Sequence, residues 1–104
     1  MIEVNKQGEV WVFAEQHDGK LSEVPIELLS KGRELADKLG VKLAAVLLGN
    51  NVSALTEKLG QYGADKVYLA EHVHLEYYQT SSYSKVLCNL IEQYKPQIFL
   101  YGAT

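Results

Sequence analysis

Short, nearly unbroken apolar runs alternate with longer amphipathic segments along this chain, and that alternation leaves few folds open. Val10-Trp11-Val12-Phe13-Ala14, Leu43-Ala44-Ala45-Val46-Leu47-Leu48, Val67-Tyr68-Leu69-Ala70 and Ile98-Phe99-Leu100-Tyr101 have the near-continuous apolarity of strands covered on both faces. The segments between them carry apolar residues at helical spacing. The order reads β-α-β-α-β-α-β. It predicts right-handed crossovers and a parallel sheet between two helical layers, a three-layer α/β/α architecture of the Rossmann-like kind. No sequence repeat of fixed period underlies it.

Local signals set the boundaries. Asp18-Gly19 marks a turn after the first strand. Pro25 suits a first helical turn, Leu28, Gly32, Leu35 and Leu39 follow one helix face, and Gly40 suits a left-handed helix end. Arg33 lies four residues before Asp37 on the outer face. Gly49-Asn50-Asn51 breaks the second strand and offers a helix cap, with Val52, Leu55, Leu59 and Tyr62 on one stripe and Gly63 as the stop. A third helix, capped near Thr80, Ser81 or Ser82, presents Tyr83, Val86, Leu87, Leu90, Ile91 and Tyr94, and Pro96 ends it. The stretch from Glu71 to Gln79 is irregular.

With 104 residues, the chain has room for one domain. Its last residues read like the end of a buried strand, which suggests a piece of something longer. A net charge of −3 argues against a sequence-independent grip on nucleic acid. No apolar run approaches the roughly 20 residues that cross a bilayer. The single cysteine, Cys88, excludes an internal disulfide, and a reducing, cytoplasmic setting of bacterial type is expected.

Ligands in open parallel sheets bind beyond the carboxyl ends of the strands, where strand order reverses. The candidates are therefore Glu15 and Gln16 at the first strand's exit and Gly102, Ala103 and Thr104 at the fourth. Gly49-Asn50-Asn51 is the nearest approach to a phosphate loop, and a plain turn explains it better. His17, His72 and His74 lack a fixed third metal ligand and read as solvated loop residues, so no metal site is expected. Cys88 has no visible base beside it and reads as a small, partly buried, inert residue. Seven tyrosines are many for this length: Tyr62, Tyr83 and Tyr94 fall on apolar helix faces, and Tyr77-Tyr78 falls in the irregular stretch. No catalytic constellation emerges.

Taken in order, several stretches resemble the electron transfer flavoprotein alpha-subunit family. They are Val10 to Glu15, Asp18-Gly19-Lys20-Leu21, Glu27 to Ala36, Ala45 to Gly49, Tyr62-Gly63-Ala64-Asp65-Lys66-Val67-Tyr68, and Lys95 to Thr104. The resemblance implies an adenine-nucleotide-hydrolase-like α/β fold and the N-terminal part of a subunit that pairs with a beta subunit. It also implies an electron carrier serving flavin dehydrogenases of the acyl-CoA type, in fatty acid oxidation among other settings. Its FAD would be held mainly by a C-terminal domain outside these residues, so no tightly bound cofactor is expected on residues 1–104. An isolated piece of this kind would be prone to self-association through an open sheet edge. The alternative is a stand-alone AMP- or ATP-binding module of the stress-protein kind.

Overall fold

The computed structural model describes residues 7–17, 19–72, 75 and 80–102, the last segment as backbone alone at residues 80 and 81. The elements run β1 (Val10–Phe13), β2 (Gln16–His17), β3 (Lys20–Leu21), α1 (Glu23–Leu39), β4 (Leu43–Gly49), α2 (Leu55–Gln61), β5 (Lys66–Glu71), α3 (Thr80–Tyr94) and β6 (Ile98–Leu100). β5, β4, β1 and β6 form one sheet in that order, and every pairing in it is parallel. β2 and β3 form a small antiparallel ribbon beside it. The expected α/β architecture is therefore present. The ribbon is an addition where a turn alone was expected.

The period-two pleat sorts the strand residues onto two faces. Val10, Val12, Ala14, Leu43, Ala45 and Leu47 pack with Leu29 and Ala36 of α1 and with Leu55 and Leu59 of α2. Trp11, Ala44, Val46 and Leu48 face the other way, onto Tyr83, Val86, Leu87 and Leu90 of α3. All of β4 is buried, which its uninterrupted apolar run requires. Full burial of a side chain such as Leu43 or Leu47 contributes about 1.5–3 kcal/mol.

α1 begins after Ser22 and ends at Gly40, whose φ of 69° is the left-handed closure expected there. Its amide donates to Asp37 O, and that of Val41 to Ala36 O. α2 departs from expectation. It starts at Leu55 after Ala54, and Asn51 takes a left-handed φ of 56° instead of capping it. The reason is a tertiary contact: Val52 is drawn into the core, and its amide donates to Glu71 Oε2 at 3.0 Å. α3 closes at Lys95, whose φ is 50°, just ahead of Pro96. On its apolar face Tyr83 is buried, whereas Ile91 and Tyr94 keep 38% and 45% of their surface exposed. Tyr62, expected in a core or interface, is also half exposed.

Candidate functional site

β1 lies between β4, reached through α1, and β6, reached through α3. Strand order therefore reverses at the β1–β6 pair, where Val10, Trp11 and Val12 register with Ile98, Phe99 and Leu100. A cavity of about 580 Å³ opens at the carboxyl ends of these two strands. Phe13 of β1 and Glu15 just beyond it line the cavity, with Phe99 of β6, Tyr101 and Gly102 just past that strand, and Tyr83, Leu87, Cys88 and Ile91 of α3. This is the location that topology assigns to a ligand in such sheets.

The strand-end candidates take separate roles. Glu15 lines the cavity, with its carboxylate 3.7 Å from His17 Nε2. Gly102 lines it too, and a Cβ there would come within 2.8 Å of Val24 Cγ1, so α1 crosses close to the end of β6. Gln16 does not line it. Its Nε2 donates to Leu48 O at 3.2 Å, and its Oε1 accepts the Gly19 amide at 2.9 Å, which pins the β2–β3 ribbon to the end of β4. Ala103 and Thr104 lie outside the described residues, as do His74, Tyr77 and Tyr78.

The cavity wall is mostly aromatic and aliphatic, and Glu15 is the only charged residue among the described residues lining it. Cys88 is exposed on this wall, which corrects the expectation of a partly buried thiol. It projects from α3 beside Leu87, outside the stripe of residues packed on the sheet. His17 and His72 are exposed, and among the described residues no group of His, Cys, Asp and Glu could hold a metal ion. A flavin adenine dinucleotide would need donors for its pyrophosphate. Among the described residues, the lining carries a carboxylate and no cation. At the Gly49-Asn50-Asn51 turn, the Val52 amide is already bonded to the Glu71 carboxylate. Neither the described lining of this cavity nor this turn therefore offers donors suited to the pyrophosphate of FAD or the phosphates of AMP or ATP.

Two polar centres lie outside the cavity. Glu9, only 16% exposed in its side chain, accepts from Tyr68 Oη at 2.6 Å and from Trp11 Nε1 at 3.1 Å, and pairs with Lys66 Nζ at 2.7 Å. Burial raises its pKa, but the bonds from Lys66, Tyr68 and Trp11 outweigh that and hold the carboxyl below its usual range. Burial, and then the Glu9 carboxylate, push the Tyr68 phenol well above its usual value. In the second centre, Asp65 Oδ2 accepts the Leu43 amide and Arg33 Nη1, both at 2.9 Å. The Leu43 bond is the main cause of its lowered pKa, which burial opposes and Arg33 reinforces. Both centres join residues far apart in sequence, and the sequence signalled neither: Trp11 and Tyr68 read there as apolar strand residues.

Comparison with known proteins places these features in a family. The electron transfer flavoprotein domain matches residues 10–104. The electron transfer flavoprotein subunit alpha of Clostridium acetobutylicum is 52% identical over 95 residues, covering 91% of this chain and 28% of that protein. The corresponding subunit of Thermoanaerobacterium thermosaccharolyticum is 46% identical over 101 residues, covering 97% of this chain and 31% of its own length. The acryloyl-CoA reductase electron transfer subunit beta of Anaerotignum propionicum is 46% identical over 102 residues, covering 98% of this chain and 28% of that subunit. The chain thus spans between a quarter and a third of the length of these relatives. Matched across nearly its whole length, and with the α/β sheet that this resemblance implies, the chain belongs to the electron transfer flavoprotein family.

Proposed function

We propose that these residues form the N-terminal α/β domain of an electron transfer flavoprotein alpha subunit, and that the domain packs against a beta subunit. In this reading it has no catalytic residues of its own. The complete heterodimer carries electrons from flavin dehydrogenases, of the acyl-CoA type among others, to later acceptors in the cytoplasm. FAD is held by parts of the complex beyond this domain. The observation that carries the reading is the match over residues 10–104 to subunits more than three times as long. It is supported by the described residues of the cavity wall, whose one charged group, a carboxylate, suits no pyrophosphate. The described residues include no helix long and apolar enough to cross a membrane. Glu15 and Gly102 are the described strand-end residues best placed to meet a partner loop.

Co-expression with a tagged electron transfer flavoprotein beta subunit tests the partnership. A complex of one chain with one beta subunit on size-exclusion chromatography is expected. Elution of the two chains apart, or of this chain only as a complex with itself, would count against it.

A further inference from the structure

The cavity beside α3 is long, and its two ends differ in chemistry. α3 runs back along the sheet: its Tyr83 ring meets Phe13 at 6.3 Å near the exit of β1, and its Tyr94 ring meets Trp11, earlier in that strand, at 6.4 Å. Tyr83 and Ile91, both on the cavity wall, lie about 12 Å apart along the helix. Glu15, Phe13, Tyr83 and Tyr101 therefore surround the strand-exit end, and Leu87, Ile91 and Phe99 extend towards the other. At the exit end, Phe13 and Tyr101 each stand one residue past the registered pair Val12 and Leu100. The rings pair edge to face, Phe13 with Tyr83 and Tyr101 with Phe99. Tyr83 Oη donates to Leu75 O at 2.9 Å, so what Tyr83 offers the cavity is its ring.

We propose that this cavity binds an amphipathic organic cation, an alkyl- or arylammonium compound. Its ammonium head sits at Glu15 among the rings of Phe13, Tyr83 and Tyr101, and its apolar body lies along Leu87, Ile91 and Phe99. The faces of aromatic rings are electronegative and attract ammonium groups, most strongly where water is partly excluded. The Glu15 side chain is 28% exposed, so its attraction for such a head is screened less than in open solvent. Its neighbour in an ion pair is the exposed His17, 3.7 Å away, which is charged only when protonated. No residue among those described on the wall would neutralise an anion. A volume of about 580 Å³ lies within the range that holds small organic ligands. The site goes beyond the electron-carrier reading and does not rest on it.

The test is calorimetry of the 104-residue chain with octyltrimethylammonium below its micelle concentration, with octanol and octanoate as neutral and anionic counterparts. The expected result is one cation bound per chain, about tenfold or more tighter than octanol, with octanoate weaker still. Glu15→Gln abolishes the preference for the cation over octanol. Glu57→Gln, an exposed carboxylate on α2 across the sheet, leaves it intact. Cys88 reports the place, since it is the single cysteine and is exposed on the wall. Bound cation slows its reaction with an aromatic disulfide reagent several-fold. Circular dichroism checks each fold. Should Glu15→Gln unfold, Tyr101→Leu decides: it keeps apolar bulk, removes a ring, and weakens the cation several-fold while sparing octanol. Equal binding of octanol and the cation, an equal loss in Glu57→Gln, or unchanged thiol kinetics would overturn the site. So would sedimentation of the chain as a dimer whose Cys88 reacts only on dilution, which would give the cavity to a second copy.

Discussion

Arg33 on α1 reaches across to Asp65 at the head of β5, with Nη1 and Oδ2 2.9 Å apart. The same oxygen accepts the Leu43 amide at the start of β4, and the Asp65 amide donates back to Leu43 O at 2.7 Å. Arg33 also donates to Gly63 O and to Asp37, so one guanidinium ties α1 to the turn that launches β5. Asp65→Ala is expected to cost about 1–2 kcal/mol, mostly through the Leu43 amide, since a partly exposed ion pair adds less than about 1 kcal/mol. Urea unfolding of Asp65→Ala, Arg33→Ala and the double variant would separate the two contributions. A coupling near zero would show that Arg33 and Asp65 act independently.

Gly32 and Gly60 sit within helices and are expected to respond to alanine in opposite directions. A Cβ on Gly32 would come within 2.8 Å of Leu43 Cδ1 and 3.1 Å of Val12 Cγ2, both in the buried core. The overpacking of Gly32→Ala outweighs its gain in helix propensity and destabilises by about 1–2 kcal/mol. Gly60 has nothing within 4 Å of such a Cβ, so Gly60→Ala stabilises by about 0.5–1 kcal/mol. Thermal or urea melts check both signs, and a stabilised Gly32→Ala would show that α1 can lift off the sheet at little cost.

Acid should weaken the fold through two identified carboxylates. Glu9 and Asp65 both titrate below their ordinary values. Each therefore contributes stability that is complete above its unfolded pKa, about 4.3 for Glu and 3.9 for Asp, and that is lost as pH falls through the depressed folded value. The expected outcome is a urea midpoint that drops as pH goes from about 5 towards 2. Glu9→Gln and Asp65→Asn start lower at neutral pH, fall less steeply, and approach the wild type in acid. A parallel offset at every pH would remove these two groups as the cause.

The sheet and its helices were legible because burial on both faces writes a continuous apolar run, as in β4, and because Gly40 and Pro96 punctuate helix ends. What escaped depends on contacts distant in sequence. Tyr68 finds Glu9 across 59 positions and Arg33 finds Asp65 across 32, and neither separation leaves a periodic trace. The expected cap at Asn50-Asn51 yields to the Val52 amide bonded to Glu71, a partner on another strand. Gln16 is named for its place at a strand end, and in the fold its Nε2 donates to Leu48 O while its Oε1 accepts the Gly19 amide, contacts no local pattern signalled. Of the five strand-end residues named from topology, Glu15 and Gly102 line the cavity, Gln16 does not, and Ala103 and Thr104 lie outside the described residues. On its wall, Tyr83 reads from the sequence as an apolar helix-face residue and Cys88 as a partly buried, inert one, since helical periodicity alone does not show which cavity a helix borders.

The central claim is that this domain belongs to a flavin carrier without itself gripping the flavin. Titration of the 104-residue chain with FAD, followed by flavin fluorescence and calorimetry, tests it most directly. The account predicts no stoichiometric binding, since no cation or open phosphate loop is present among the described cavity residues. Tight binding of one FAD per chain would contradict it.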